Sequence, residues 1–233
     1  MGVGTSTRRN VIIGSVAAGL TLSIEGLWAH TRELTHPVDT TGGRMRGTRF
    51  NGVSRFLGIP YGSNTQPRRF QPALPSRWRG VRDCIAYGNS APQSGPNAPS
   101  AAANSLAFLF GAPSEQPPPE SEDCLFLNVF TPDPSSARKR PVLFWLHGGG
   151  FTRGNGSALM YDGSSLCRRG DVVVVTINHR LNAMGYLYLG ALHEDFADSG
   201  NASLKSLAIG RVLRSTFSAG AARMSRRPTG THR

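Results

Sequence analysis

Residues 140–151 read RPVLFWLHGGGF, and this stretch decides the fold prediction for the chain. The run Val142–Leu146 is apolar at every position, which is typical of a short strand buried on both faces. Three consecutive glycines, Gly148–Gly150, follow it after a single histidine. Because glycine has no side chain, such a loop lets backbone N–H groups come close to a ligand. The stretch therefore predicts a buried strand with a ligand-binding loop at its end.

Two further strands are predicted on either side of this stretch, at Cys124–Phe130 and Val172–Ile177. The second of them is apolar on both faces, as expected for a strand that helices cover on both sides. The glycine-rich connection that precedes it ends in GSSLCRRG (163–170), which has room for one short helix. Alternating buried strands and crossovers predict an α/β fold with a central, mostly parallel sheet.

A β-hairpin is predicted near the start of this fold. Segments Arg44–Phe50 and Val53–Ile59 flank Asn51-Gly52, and both residues of that pair tolerate positive φ. The fold prediction therefore adds an N-terminal hairpin to the central sheet.

Residues 88–120 are predicted to form a long loop that carries seven of the 16 prolines. A loop of this length in a compact chain is usually functional or disordered. Its small apolar island, Leu106–Phe110, is interpreted either as a lid or pocket wall, or as the one anchor of a surface loop.

The N-terminus resembles an export signal. Arg8-Arg9 stands directly before an apolar stretch from Val11 to Ile24, which is shorter than the roughly 20 residues that span a bilayer. The adjacent arginines indicate the twin-arginine route, so we expect residues 1–36 to direct the protein to the periplasm or the exterior. The alternatives are an amphipathic N-terminal helix and a wrongly assigned start.

The net charge of +12 lies mostly at the other end of the chain. Residues 204–233 hold seven basic side chains and no acidic one, and their Arg/Ser/Ala/Gly mixture lacks a regular pattern. We interpret them as a basic tail that is either disordered or translated out of frame. No spacing typical of a nucleic-acid-binding motif accompanies the charge, so nucleic acid is not an expected partner.

The glycine loop is similar to a loop that binds an oxyanion. In HGGG-type loops of ester hydrolases, backbone N–H groups form half of an oxyanion hole, and a Gly-x-Ser-x-Gly turn supplies the other half with the nucleophile. No serine of this chain has glycine both two residues before and two residues after it. The sequence therefore predicts half of a hydrolytic site.

Taken together, these motifs resemble the type-B carboxylesterase family, which contains bacterial carboxylesterases, para-nitrobenzyl esterases and cholinesterases. The resemblance implies an α/β-hydrolase fold, ester substrates and a Ser–Glu/Asp–His triad in that chain order. It covers residues 37–203, which we expect to be the N-terminal part of a truncated domain. The matching segments, in family order, are GRMRGTRFNGVSRFLGIPYG (43–62), RWRGVRD (77–83), SEDCLFLNVFTP (121–132), PVLFWLHGGGF (141–151), YDGSSL (161–166), GDVVVVTINHRLNAMGYL (170–187) and SGNA (199–202).

The resemblance also implies residue roles. Gly149 and Gly150 match the glycines whose N–H groups face the oxyanion, while His147, Gly148 and Phe151 shape the loop. None of the triad residues is present, and the expected partner is a small carboxylic ester, with no cofactor and no metal.

The cysteines receive a separate expectation. Cys124 matches a cysteine that many relatives pair in a disulfide, but the usual partner position holds Ala91 here. A Cys84–Cys124 disulfide is therefore left open, and Cys167 is expected to be a free, buried thiol.

Two main functions follow from these observations. The first is a carboxylic ester hydrolase, of which this chain is an inactive part because it lacks the nucleophile. The second is a non-catalytic binding module like the cholinesterase-like adhesion proteins, and a basic-tailed interaction protein is a third hypothesis.

The resemblance also implies an open edge of the sheet. In the family, the strand that leads to the nucleophile lies beside the strand that matches Val142–Leu146. Because this chain lacks the nucleophile strand, we expect Val142–Leu146 to have an open edge and the chain to be poorly soluble. The sequence leaves the preferred ester and the oligomeric state open.

Overall fold

The computed structural model describes residues 33–93, 118–135 and 138–208. Six strands form its main sheet, in the spatial order β1 (Glu33–Leu34), β4 (Thr48–Phe50), β5 (Val53–Pro60), β7 (Phe126–Thr131), β9 (Val173–Ile177) and β8 (Val142–Leu146). A smaller sheet contains β2 (Val38–Asp39), β3 (Arg44–Arg46) and β6 (Val81–Asp83).

Helices are short in the described part of the chain. The α-helices α1 (Ser164–Gly170) and α2 (Asn182–Tyr186) flank β9 in sequence, and residues 202–208 are also helical. The 3-10 helices cover Gln66–Arg68, Leu159–Tyr161 and Glu194–Phe196. The short helix predicted between β8 and β9 is therefore confirmed as α1.

The predicted hairpin is confirmed, with a shorter first strand. Strands β4 and β5 pair antiparallel, with Phe50 opposite Val53, and the turn residues Asn51 and Gly52 have φ of 47° and 78°. Positive φ at both central residues is the requirement of a type I′ turn. The expected continuous strand Arg44–Phe50 is wrong, because residue 47 leaves the ladder.

Gly47 lies between β3 and β4, and its backbone bonds to Thr35, next to the β1–β4 pair Leu34–Thr48. The carbonyl of Gly47 accepts the N–H of Thr35, and its N–H donates to the hydroxyl of Thr35, both at 3.0 Å. On the other side of Gly47, β3 lies in the smaller sheet, where it pairs with β2 and β6. The chain therefore passes from one sheet to the other at this point.

The core lies along β5, β7 and β9, in the middle of the main sheet. Every residue of β7 and β9 is buried, which confirms that β9 is covered on both faces. Of the neighbouring pairs in this sheet, β8 and β9 run parallel, whereas the other four are antiparallel. The described sheet is thus mixed rather than mostly parallel, since only β8 and β9, the last two strands along the chain, run parallel.

Strand β8 lies at one edge of the described sheet and pairs there only with β9. The expectation that it is buried on both faces is wrong. Val142 and Phe144 pack on the core, but Leu143, Trp145 and Leu146 are 42%, 42% and 49% exposed. Its outer N–H and C=O groups are therefore available to pair with another strand, as in other open edges.

We expect this edge to cause self-association of the chain. Leu143→Lys adds a charge to the edge and should raise the fraction of soluble monomer several-fold. Leu192→Lys is the matched control, because Leu192 is 80% exposed and belongs to no strand. Size-exclusion chromatography with light scattering over a concentration series measures the effect. Equal gains from both variants, or a monomeric wild type at every concentration, would contradict this prediction.

Several sequence expectations lie outside the described residues. They are the arginine pair and apolar stretch of the export signal, the apolar island Leu106–Phe110, and most of the basic tail. Two elements lie near the predicted domain boundaries: β1 begins at Glu33, before the boundary at 36, and the helical residues 202–208 continue past the boundary at Ser203. The domain boundaries 1–36, 37–203 and 204–233 stay predictions.

Candidate functional site

The candidate site lies where strands β8 and β9 end. The two strands are parallel, with Leu146 opposite Ile177, so their carboxyl ends meet at one edge of the sheet. His147 follows the first strand directly, and Asn178 follows the second. Ligands of open α/β sheets typically bind outside the carboxyl ends of the strands. The fold therefore brings the glycine loop to the edge where a binding site is expected.

The glycine run adopts a backbone that few other residues allow. Gly149 and Gly150 have φ of 124° and 63°, and Phe151 follows with φ of 63°. The carbonyl of Gly149 accepts the N–H groups of Thr152 and Arg153, both at 3.2 Å. This turn closes the loop on itself directly after the glycines.

The N–H groups of Gly149 and Gly150 have no acceptor among the described residues. Within the described ranges neither donates a hydrogen bond, and both residues are exposed. Two consecutive unpaired N–H groups in a glycine turn can form an anion-binding concavity. The structure thus leaves available the two donors that the sequence singled out.

His147 holds the first end of the loop. It is 7% exposed, and its Nδ1 lies 2.9 Å from the carbonyl oxygen of Gly148. Its ring stacks on that of His179, with centroids 4.5 Å apart and planes 10° apart. His147 therefore lies buried under the loop.

Phe151 and Tyr186 form the contact at the second end. The Phe151 ring meets the Tyr186 ring edge-on, with centroids 5.1 Å apart. The Tyr186 hydroxyl donates to Ser203 Oγ at 3.1 Å, and the same Oγ lies 2.9 Å from His179 Nδ1. The buried Ser203 hydroxyl thus links Tyr186, which contacts Phe151, with His179, which stacks on His147.

Ser203 and His179 are as close as a nucleophile and its base would be, but both side chains are buried, so a substrate could not reach them. Ser203 is 0% exposed and His179 is 6% exposed. A nucleophile must reach its substrate, so a sealed hydroxyl of this kind can only support its neighbours. The sequence expectation that the chain holds no nucleophile is not altered by this pair.

Arg180 fixes the helical residues 202–208 beside His179. It is 2% exposed, and its Nη2 donates to the carbonyl of Ala202 and to Ser206 Oγ at 2.8 and 2.9 Å. Its Nη1 donates to the carbonyl of Gln71 at 2.9 Å. Burial lowers the pKa of this guanidinium. These bonds place Ser203 where it meets His179.

Buried amides under the loop were not found by sequence reasoning. Asn178 Oδ1 accepts the N–H of Gly156 at 2.6 Å, and its Nδ2 donates to the carbonyl of Asn89 at 2.8 Å. Asn128 Nδ2 donates to the Thr176 hydroxyl, which in turn donates to the carbonyl of Gly156. The available signal was an asparagine inside or directly after an apolar strand, since buried polar groups need partners.

All three cysteines of the chain are free, buried thiols. The Cys84–Cys124 disulfide that the sequence left open is therefore not formed, whereas the free, buried Cys167 is confirmed. Desolvation raises the pKa of Cys84 to about 11 and that of Cys124 to about 12. Both sulfurs belong to the same core cluster and act there as small apolar groups.

The described ranges offer no site for a metal ion, because they contain no group of three or more His, Cys, Asp or Glu side chains that could hold one. Among the same residues, no helix has the length and apolar character needed to cross a membrane.

The stacked histidines predict a dependence of stability on pH. Burial lowers the pKa of both rings from the ordinary 6.5, and the charge of His147 lowers that of His179 further. Below about pH 6.5 the unfolded chain therefore binds more protons than the folded chain. The free energy of unfolding should fall as the pH decreases from there towards the lowered values, by up to about 1.4 kcal/mol per pH unit for each histidine.

Urea titrations at several pH values measure this slope. His179→Phe keeps an aromatic ring for stacking and should make the slope shallower. His36→Phe is the control, because His36 is exposed. A slope that His179→Phe leaves unchanged would contradict the assignment.

Comparison with known proteins places these features in a family. Residues 35–208 match the model of the carboxylesterase family. The chain is similar to the para-nitrobenzyl esterase of Bacillus subtilis (strain 168), with 41% identity over 71% of this chain and 32% of that protein. It is also similar to Neuroligin-2 of Mus musculus, with 34% identity over 77% of this chain and 24% of that protein. The chain thus spans about a third or less of the length of these relatives.

Among solved structures, the chain is similar to an esterase from anaerobic Clostridium hathewayi that can hydrolyse aliphatic aromatic polyesters. The TM-score is 0.70 at 34% identity, covering 80% of this chain and 36% of that one. Structural neighbours of this kind are α/β-hydrolases, so the predicted fold class is confirmed for the described part.

Proposed function

The chain belongs to the carboxylesterase family, and we propose that it supplies the oxyanion-binding loop of an enzyme that hydrolyses carboxylic esters. The observation that carries the proposal is the glycine turn at the end of β8. There Gly149 and Gly150 are exposed residues, and their N–H groups donate to no described acceptor. His147, Gly148 and Phe151 shape the loop around them.

The chemistry explains why bare N–H groups are needed. When a serine attacks an ester, negative charge develops on the carbonyl oxygen of the substrate. Donors placed about 2.7–3.1 Å from that oxygen stabilise it, and each contributes roughly 10²–10³ in kcat. Backbone groups suit this role because they are already oriented before the reaction starts.

The serine, the acid and the histidine of the triad are not among these 233 residues. Loss of the triad costs about 10⁶ in kcat in serine hydrolases, and the N–H that follows the serine is a further oxyanion donor. We therefore propose that this chain alone is inactive. The proposed substrate is a small carboxylic ester, as the names of the esterase relatives suggest, and the proposed chemistry requires neither cofactor nor metal.

Hydrolysis assays test the proposal in two steps. The 233-residue chain should hydrolyse a short-chain nitrophenyl ester no faster than the uncatalysed reaction. A chimera in which residues 35–208 replace the matching segment of the Bacillus subtilis para-nitrobenzyl esterase should hydrolyse the same ester. A soluble, folded chimera without activity would contradict the role of the loop, and activity of the chain alone would contradict its inactivity.

A non-catalytic binding module is the second candidate function. The similarity to Neuroligin-2, whose name does not describe an esterase, favours it. The chimera separates the two candidates. An active chimera favours the ester hydrolase, whereas a folded but inactive one favours the binding module, because a loop that does not serve catalysis need not keep the oxyanion donors in position.

Export by the twin-arginine route remains part of the proposal. It rests on Arg8-Arg9 and the apolar stretch after them, which lie outside the described residues. A reporter fused to residues 1–36 tests it, and a reporter that stays in the cytoplasm would contradict it.

A further inference from the structure

The side chain of Gln93 holds the far end of the glycine loop through two hydrogen bonds to one residue. Its Oε1 accepts the N–H of Gly154 at 2.9 Å, and its Nε2 donates to the carbonyl of Gly154 at 2.9 Å. The side-chain amide therefore satisfies both the N–H and the C=O of Gly154, as the backbone of a neighbouring strand would. The N–H of Gln93 itself donates to Glu120 Oε2 at 3.0 Å, which fixes the segment that carries the clamp.

Asn182, the first residue of α2, holds the same loop from the segment that follows β9. Its N–H donates to the carbonyl of Phe151 at 2.9 Å, and its Nδ2 donates to the carbonyl of Thr152 at 3.0 Å. The same Nδ2 lies 3.3 Å from the carbonyl oxygen of Pro92, directly before Gln93. Asn182 has φ of 54°, which asparagine tolerates better than most residues. The two amide side chains thus bond to Thr152 and Gly154, and the backbone N–H of Asn182 adds the bond to Phe151.

These anchors act on the oxyanion donors through the turn between them. Thr152 and Arg153 both donate their N–H groups to the carbonyl of Gly149. The peptide unit that contains this carbonyl also contains the N–H of Gly150. Fixing residues 151–154 therefore fixes the direction of that peptide unit. At the other end, His147 Nδ1 lies 2.9 Å from the carbonyl oxygen of Gly148, whose peptide unit contains the N–H of Gly149.

We propose that Gln93 and Asn182 are positioning residues for the oxyanion donors Gly149 and Gly150. They touch neither the substrate nor the reacting atoms, and they act through Gly154, Phe151 and Thr152. The inference rests on the proposed function, because it assigns these residues to the same loop. Neutral amides suit the role, since each offers a donor and an acceptor without placing a charge beside the developing oxyanion.

Gln93→Glu tests the clamp, because glutamate has the same size and its bonding can be switched by pH. The ionised carboxylate still accepts the N–H of Gly154, but it sets a negative oxygen against the carbonyl of Gly154. The protonated acid restores a donor there. The nearby Glu120 carboxylate favours the protonated form. Residue-resolved amide hydrogen exchange at about pH 7 and about pH 4, each compared with wild type at the same pH, follows the change.

At about pH 7 we expect the amides of Thr152 and Arg153, which bond to Gly149, to lose protection by about tenfold, equivalent to 1.4 kcal/mol. At about pH 4 their protection should return to that of wild type. Gln66→Glu is the matched control, because Gln66 is exposed and should change nothing in the loop. A loss confined to the amide of Gly154, or one that acid does not restore, would overturn the inference.

Asn182→Gly keeps the inference testable if Gln93→Glu does not fold at neutral pH. Glycine retains the positive φ of position 182 and removes only the Nδ2 bonds. The protection of Thr152 and Arg153 should then fall at both pH values alike. Unchanged protection would overturn the role of Asn182. Because exchange is measured without any ester, failure here and failure of the hydrolysis assays are separate results.

Discussion

Gly149→Ala should lower the free energy of unfolding by about 3 kcal/mol or more and open the glycine loop. The φ of 124° at this position lies in a region that L-residues rarely adopt, at a cost of about 1–3 kcal/mol. In addition, the new Cβ would lie 1.9 Å from the carbonyl oxygen of Arg153, so the backbone must move. Because the carbonyl of Gly149 closes the turn, that movement should also break the bonds from Thr152 and Arg153.

The neighbouring glycines provide matched controls for this experiment. An added Cβ at Gly148 or at Gly150 meets no atom within 4 Å. Gly150 has φ of 63° and should lose about 1 kcal/mol as alanine, whereas Gly148 lacks a positive φ and should change little. Urea unfolding measures the three values, and exchange of the Thr152 and Arg153 amides reports the loop. A cost at Gly148 equal to that at Gly149 would contradict the explanation.

Asn178→Ala should have the second large effect, also about 3 kcal/mol. It leaves the N–H of Gly156 without its acceptor and the carbonyl of Asn89 without its donor. Asn178 is 4% exposed, and an unsatisfied buried polar group costs about 1–3 kcal/mol. The backbone carbonyl of residue 178, which accepts the Tyr61 hydroxyl at 2.6 Å, is retained in the variant.

Urea unfolding of Asn178→Ala is best compared with Asn64→Ala. Asn64 is exposed, and its Oδ1 accepts only the nearby N–H of Gln66 at 2.9 Å. Because water can replace that bond, the control should lose about 1 kcal/mol or less. Similar losses in both variants would show that the buried amide network does not support the site as described.

Part of the site could be predicted from single segments of sequence. The glycine run after an apolar strand predicts Gly149 and Gly150 as donors, and in the described residues both follow β8 with N–H groups that donate no hydrogen bond. Their role as donors to a substrate stays a prediction. The residues that hold this loop could not be found in that way. Gln93 and Gly154 are 61 positions apart, and Asn178 and Asn89 are 89 positions apart. Nothing in either local pattern indicates that such residues meet.

The exposure of β8 shows a second limit of local pattern. The run Val142–Leu146 is apolar throughout, which indicates burial on both faces, whereas three of its five residues are at least 42% exposed. β9 is apolar at four of its five positions and is buried at every one of them. The two strands differ in their place in the sheet. β9 has a neighbouring strand on each side, whereas β8 lies at the edge and has one.

The sequence by itself determined the positions of the main strands, the Asn51-Gly52 turn, the short helix before β9 and the glycine loop. Each of these depends on contacts or backbone preferences within a few residues, so a local pattern is sufficient to specify it. Only the tertiary structure decided the mixed strand order, the exposure of three side chains of β8, and the meeting of His147 with His179 and of Gln93 with Gly154. These features depend on which distant segments become neighbours, and that choice is made by the packing of the whole sheet.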